Sequence, residues 1–245
     1  DYPKLVDILE RRLSQLSEPS DLIPLLDKLG LVLTARLKDE SRALGVWKRL
    51  LEVEPGHRKA QNEVRKRALA EKDWETLEWL YRSYGTIAEL VRTLDSQVKS
   101  LSQPAEKVRL LFTISGLWQN EMEQPLRAIK SLEGILALDS RNVDAAKSLI
   151  PLYEMGQKWS PLSDVLEIAL SDAREASERK ELLMRLSSLY EEKLRNPEQA
   201  FFSYVQVFKE SFSSMDEANE LERLAASSDN WDTYVSLSLI HISEP

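Results

Sequence analysis

Of the residue types that perform acid–base chemistry, this 245-residue chain has many acidic residues but only two histidines. Cysteine is absent, which excludes disulfides, thiolate metal ligands and cysteine nucleophiles. His57 is the only histidine before the C-terminal segment, and its place at a predicted helix start beside Arg58 indicates a surface cap rather than a catalytic base. The acidic pair Glu191-Glu192 is typical of an amphipathic surface helix. These residues predict no acid–base centre.

Motifs that hold phosphates, metals or activated nucleophiles are also missing from the sequence. It contains no glycine-rich phosphate loop, no cluster of His, Asp and Glu at metal-ligand spacing and no nucleophile elbow. The sequence therefore predicts a protein that is not an enzyme and that uses no cofactor and no metal.

The charge balance bears on the class of partner. Lys and Arg number 33 against 41 Asp and Glu, which gives a formal net charge of −8 at pH 7. Nucleic-acid-binding proteins draw much of their affinity from basic side chains on phosphates, and this chain lacks that overall signature. The basic cluster Arg65-Lys66-Arg67 is interleaved with Glu63 and Glu71 and is typical of a solvated helix face. We therefore expect no nucleic-acid partner.

We also expect no insertion into a membrane. No apolar run approaches the about 20 residues that span a bilayer, and Asp1-Tyr2-Pro3-Lys4 does not begin a signal peptide. The first residue is not Met, which favours a piece of a longer protein. The compartment stays open, with a cytoplasmic location slightly favoured, and so does the oligomeric state.

The apolar residues of the chain recur in a repeating pattern of predicted helices. Two successive shifts of the sequence against itself carry Leu26 onto Leu111 and Leu111 onto Leu183. They superimpose apolar positions at i, i+3, i+7 and i+11. This spacing is the pattern of one amphipathic helix, which occurs three times. The positions of this first helix are Leu26, Leu111 and Leu183; Leu29, Ile114 and Leu186; Leu33, Trp118 and Tyr190; and Leu37, Met122 and Leu194. A second helix follows, with Ala43, Ala128 and Ala200; Trp47, Leu132 and Tyr204; Leu50, Ile135 and Val207; and Leu51, Leu136 and Phe208.

The repeating unit comprises four predicted helices, or two helix pairs. We expect one array over residues 1–236, with copies at 2–73, 74–158 and 159–230 and the start of a fourth at 231. The middle copy is longer than the other two, and its extra residues, which follow Trp74, are interpreted as one short additional helix. Because no segment shows the alternation of a strand, the predicted fold class is all-α.

Aromatic and proline residues mark the boundaries of the copies. Trp74, Trp159 and Trp231 recur there and are interpreted as packing residues between copies rather than as ligand-stacking residues. Pro151 falls inside the helix predicted between Asn142 and Gly156, and we expect it to kink or split that helix.

The repeat resembles tetratricopeptide repeats, as in bacterial multi-repeat arrays. The features that carry the resemblance are a small residue in each first helix (Gly30, Ser115, Ser187), an alanine in each second helix (Ala43, Ala128, Ala200) and Pro55 after a second helix. The spacing from the aromatic position to the alanine is one residue longer than in the usual motif. The resemblance implies a solenoid forming a right-handed superhelix, whose first helices line a concave groove that binds a peptide or a partner helix.

The groove-facing positions follow from the same resemblance. They are Asp27, Leu31 and Thr34; Phe112, Gly116 and Gln119; and Met184, Ser188 and Glu191. The insertion adds three aromatic candidates, Trp79, Tyr81 and Tyr84. The predicted function is a non-catalytic scaffold that binds another protein or peptide. The alternatives are a regulatory segment of a larger enzyme or signalling protein and an RNA-binding helical repeat.

The last nine residues, 237–245, break the repeat. Their sequence, from Leu237 to Pro245, resembles the in-frame translation of adaptor DNA from sequencing libraries. We therefore expect a non-native tail and assign no role to His241.

Overall fold

The structure of the chain, a computed structural model, describes residues 1–83, 86–211 and 215–242, with side chains described except at 210–211 and 238–242. Within these residues all regular structure is helical, so the predicted all-α fold class is confirmed. The chain forms two compact units, Asp1–Leu94 and Asp95–Pro245.

The described residues of unit 1 form five helices and the beginning of a sixth. They are α1 (Tyr2–Leu13), α2 (Pro19–Val32), α3 (Glu40–Val53), α4 (Arg58–Glu71), α5 (Trp74–Ser83) and α6 (Ile87–Ser100), which continues into unit 2. Helices α2 and α3 pack on each other as an antiparallel pair because the turn between them is short. The core of the unit gathers around Leu26, Leu29, Leu50 and Val64, all of which are buried.

Eight further helices are formed by the residues of unit 2 that the structure describes. They are α7 (Pro104–Gly116), α8 (Pro125–Leu138), α9 (Val143–Met155), α10 (Trp159–Asp172), α11 (Ala176–Ser188), α12 (Pro197–Ser211), α13 (Met215–Ser228) and α14 (Trp231–Ile242). The pairs α7–α8, α9–α10 and α11–α12 pack most extensively. Apolar clusters centre on Leu132 and Leu166 and, nearer the C-terminus, on Phe201 and Leu221.

Helix starts recur at the intervals of the sequence repeat. The first helices α2, α7 and α11 begin at Pro19, Pro104 and Ala176, which are related by the same two shifts that superimpose the apolar positions. Where the first and third copies have the single helices α1 and α10, the middle copy has α5 and α6. The segment predicted as an insertion therefore forms helix.

Residues in the left-handed region end two helical segments of every copy, and none of them is glycine. Their φ angles lie between 51° and 57° at Lys38, Glu123 and Arg195 and at Lys72, Gln157 and Asp229. Members of each set are again related by the two shifts of the sequence repeat. A left-handed residue after a helix reverses the chain and satisfies the last carbonyls. The repeat therefore extends to backbone conformation.

Each of the three first helices ends in a π-helical turn. These turns are Leu33–Leu37, Leu117–Glu121 and Leu189–Lys193. The backbone N–H of Met122 donates to the carbonyl of Leu117 at 3.1 Å, a bond that spans five residues instead of four. A π turn holds one residue more than an α turn. It therefore explains why the spacing from the aromatic position to the alanine is one residue longer than in tetratricopeptide repeats.

Pro151 does not split its helix. Helix α9 runs from Val143 to Met155 and includes it, so of the two expected outcomes, a kink or a split, the split is wrong. Buried neighbours on both sides, Ile150 and Leu152, anchor the helix to the core of unit 2. Their packing compensates for the missing backbone donor of the proline.

Candidate functional site

A groove of about 600 Å³ runs along α11 in unit 2. We call it the α11 groove. It lies among α10, α11, the end of α9 and the π turn that follows α11. Its floor is apolar, since Leu162, Leu166 and Leu189 line it and are buried. Its volume lies within the about 300–1,000 Å³ that is typical of ligand pockets.

Two large side chains give the α11 groove an accessible apolar surface. Met184 is 41% exposed although it lines the groove. Trp159 is half-buried, packs against the core of unit 2 and also lines the groove, with Nζ of Lys193 5.6 Å from its ring centroid. The sequence predicts only a packing role for Trp159. Its place in the lining of the α11 groove could not be predicted, because groove-facing positions were expected on the first helices and Trp159 lies on α10.

Charged side chains surround this apolar surface, and most are paired with each other. Nη2 of Arg185 lies 2.6 Å from Oε1 of Glu154, and Nζ of Lys180 lies 2.5 Å from Oε1 of Glu217 on α13. Nζ of Lys193 lies 3.8 Å from a carboxylate oxygen of Glu192. These pairs neutralise much of the charge around the groove.

Of the three predicted positions in the third copy, two line the α11 groove and one forms an ion pair. Met184 and Ser188 line the α11 groove. Glu191 instead accepts two hydrogen bonds from Arg223 on α13, at 2.6 and 2.7 Å. Hydrogen bonding to Arg223 lowers the pKa of Glu191 below its ordinary value, and the positive charge of that guanidinium adds to the effect.

The predicted positions of the first copy lie in unit 1, and two of the three are engaged internally. Asp27 pairs with Lys59 of α4, with 3.0 Å from Oδ1 to Nζ. The hydroxyl of Thr34 accepts a 3.2 Å hydrogen bond from Nε1 of Trp47. Leu31 is 40% exposed. Of this set, Leu31 alone presents an accessible apolar side chain.

The predicted positions of the middle copy differ in how far they are engaged by the rest of unit 2. Phe112 is partly buried and packs against the core of unit 2. Nε2 of Gln119 donates to Oγ of Ser115 at 3.0 Å. A Cβ added at Gly116 would meet nothing closer than the side chain of Asn120 at 4.0 Å, so this part of the surface is open.

Two of the three aromatic residues of the insertion, Trp79 and Tyr81, pack within unit 1. Trp79 packs against the core, with Nζ of Lys48 5.6 Å from its ring centroid. Tyr81 is buried, and its hydroxyl lies 3.2 Å from Oγ1 of Thr93. Tyr84 lies outside the described residues.

His57 has a structural role, and the described residues contain no candidate metal site. His57 caps α4, and its Nδ1 accepts a 3.2 Å hydrogen bond from the backbone N–H of Ala60, which confirms the predicted cap. Across residues 1–83, 86–211 and 215–242, no three His, Asp or Glu side chains are grouped to hold a metal ion. In the same residues, no helix combines the length and apolarity needed to cross a bilayer.

Comparisons with known proteins yield distant similarities to solved structures. No family model matches the chain, and no curated protein matches it. A solved structure described as the functional characterization of pilF from Pseudomonas aeruginosa is 15% identical over 84% of this chain and 98% of its own, with a TM-score of 0.35. A computationally designed self-assembling cyclic homooligomer is 10% identical over 97% of this chain and 93% of its own, with a TM-score of 0.17. Both scores are too low to support a conclusion about function.

Proposed function

We propose that this chain is a non-catalytic scaffold that binds a peptide or a partner helix, and that the α11 groove is its binding surface. The observation that carries the proposal is the exposure of Met184 above a floor of buried leucines. An apolar side chain from a partner would cover Met184 and contact Trp159, which removes apolar surface from water.

The composition of the groove supports a peptide more than a small metabolite. Its polar lining includes ion pairs and serine hydroxyls on exposed helix faces, with Ser177 and Ser188 among the serines. A methionine at a binding surface adapts to partners of different shape because its side chain is unbranched and polarizable. Such a groove recognises an apolar side chain and the backbone that carries it.

Peptide selection on the full chain tests this function. A phage-displayed library of random peptides would be selected on the immobilised protein, and the affinity of selected peptides measured by fluorescence anisotropy. We expect Met184→Asp to weaken binding by tenfold or more, because a charge would face the partner's apolar side chain.

The control variant changes another exposed methionine, which lies outside the groove. Met155 is 59% exposed, at the end of α9, and does not line the α11 groove. Met155→Asp should leave peptide affinity unchanged. Peptides that bind Met184→Asp and the unaltered protein equally well would place the binding surface elsewhere, and a selection that enriches no peptide would remove the scaffold function.

We also propose that this chain does not bind nucleic acid. Its support is the formal net charge of −8 and the internal pairing of Arg67, which contacts both Glu40 and Glu71. A labelled single-stranded RNA should therefore show no saturable binding at about 0.05 M salt, where phosphate contacts are strongest. Salt-dependent retention of that RNA would favour an RNA-binding repeat instead.

A further inference from the structure

The charges around the α11 groove leave one carboxylate without a partner. Arg185, Lys180 and Lys193 each pair with an acidic residue, as described above. Glu181 lines the same groove and is exposed, and it has no ion pair or hydrogen bond among the described residues. The guanidinium of Arg185, one helical turn further along α11, is directed to Glu154 instead. Because Lys180 pairs with Glu217 of α13, outside the lining, the carboxylate of Glu181 is not neutralised by a cation of the groove.

Glu181 also occupies a central position on this surface. A second depression of about 370 Å³ lies between α9 and α11, and Glu181 lines both this depression and the α11 groove. Within the second depression Nζ of Lys147 lies 3.0 Å from Oε1 of Glu178. The charges of that depression are thus also paired, apart from the carboxylate of Glu181.

The apolar part of the site lies within one helical turn of this carboxylate. Met184 follows Glu181 by three residues, so the two side chains share one face of α11. A partner that covers Met184 therefore brings its neighbouring side chains close to Glu181. A cation there would gain a partner, whereas an anion would be repelled.

We infer, on the premise of the proposed function, that the α11 groove selects a basic amphipathic peptide. Its large apolar side chain covers Met184 and Trp159, and a Lys or Arg within one helical turn of that side chain pairs with Glu181. The acidic balance of the whole chain acts in the same direction, because it raises the local concentration of a basic partner.

A double-mutant cycle tests the inference on a peptide that depends on Met184. The peptide would be made in two forms, with Lys or with Glu at the position next to its apolar side chain, and both would be titrated against the full chain. We expect the Lys form to bind three- to tenfold more tightly at about 0.05 M salt. With Glu181→Gln the preference should fall below about twofold, and about 0.5 M salt should reduce it likewise in the unaltered protein.

A matched variant separates this contact from general electrostatics. Glu192 also lines the groove but pairs with Lys193, and Glu192→Gln removes the same formal charge. It should leave most of the preference for the Lys form intact. Circular dichroism of both variants would check that α11 remains folded.

The possible results distinguish the inference from the function on which it rests. Equal affinities of the Lys and Glu forms for the unaltered protein would overturn the charge selection while leaving the Met184-dependent scaffold in place. A preference that survives Glu181→Gln but disappears in Glu192→Gln would show that Glu192, and not Glu181, pairs with the Lys of the peptide. Selection of no Met184-dependent peptide would remove both proposals.

Discussion

A Cβ atom added to Gly30 of α2 would lie 2.6 Å from Cζ2 of Trp47 on α3. The indole therefore rests directly on the backbone of the first helix, and Trp47 is only 2% exposed. Its Nε1 donates to the hydroxyl of Thr34, one turn beyond the glycine. The corresponding residues of the other copies are Ser115 with Leu132 and Ser187 with Tyr204. The smallest residue thus accompanies the largest ring.

We predict that Gly30→Ala destabilises unit 1. The new methyl group overlaps a buried aromatic ring, and overpacking of a core costs about 1–3 kcal/mol. Urea unfolding followed by circular dichroism measures the loss. Gly45→Ala is the control, because nothing lies within 4 Å of a Cβ at that helical position. It should be neutral or stabilising by up to about 1 kcal/mol, since alanine is the better helix former.

The overlap itself can be tested with Trp47→Leu. In that background, Gly30→Ala should cost less than in the unaltered chain, because the ring that it meets is gone. An equal cost in both backgrounds would contradict the packing explanation.

We predict that one residue can be removed from a π turn. Deleting Ala35, which is exposed, would convert the bond from Lys38 N–H to the carbonyl of Leu33 into an ordinary α-helical bond. We expect a loss of less than about 1.5 kcal/mol, against more than about 4 kcal/mol for deletion of the exposed Arg49 within α3. The second deletion turns the following apolar residues by about 100° away from the core. Equal losses by urea unfolding would show that the π turn does not hold the extra residue.

We predict that Lys38→Gly stabilises the chain. Lys38 is exposed and has a φ of 54°, a conformation that costs side-chain-bearing residues about 1–2 kcal/mol and glycine little. We expect a gain of about 1 kcal/mol in the free energy of unfolding. Lys28→Gly, at an exposed position within α2, should instead lose about 1 kcal/mol. A loss in both variants would argue against the left-handed conformation.

The buried side of the fold could be predicted from the sequence. Leu26, Leu111 and Leu183, superimposed by the repeat, are 0%, 8% and 1% exposed. The periodicity of apolar residues predicts buried positions, because the face of a helix that packs on the core is the face that carries apolar side chains. The left-handed turns could not be predicted, since Lys38 and Arg195 are not the residue types that favour that conformation. Packing on both sides imposes it.

The accessible side was harder to predict. Ion pairs between helices join residues far apart in sequence, such as Lys147 of α9 and Glu178 of α11. Whether two such side chains meet depends on the spacing and rotation of the helices, which no local pattern encodes. For this reason the sequence could place Glu191 on a surface but not pair it with Arg223, nor find Glu181 without a partner. The binding roles of all these positions stay predictions.

The pairing of Glu191 with Arg223 also predicts a pH dependence of stability. Hydrogen bonding to Arg223 lowers the pKa of Glu191 below the ordinary value of 4.5. Because the folded-state pKa is the lower one, the stabilisation is fully present above about pH 4.5 and is lost as pH falls through the folded value. Both side chains are partly exposed, at 29% and 50%, so we expect the pair to contribute up to about 1 kcal/mol.

Glu191→Gln should therefore flatten the acid side of the stability profile. The glutamine does not titrate, so urea unfolding between about pH 5 and pH 3 should show a shallower loss of stability than in the unaltered chain, with a small loss already present at pH 7. Glu52→Gln, at an exposed carboxylate of α3, should keep the original slope. If both variants keep that slope, the hydrogen bonds from Arg223 do not lower the pKa of Glu191. The pair of Glu191 and Arg223 would then contribute to stability as an ordinary surface ion pair does.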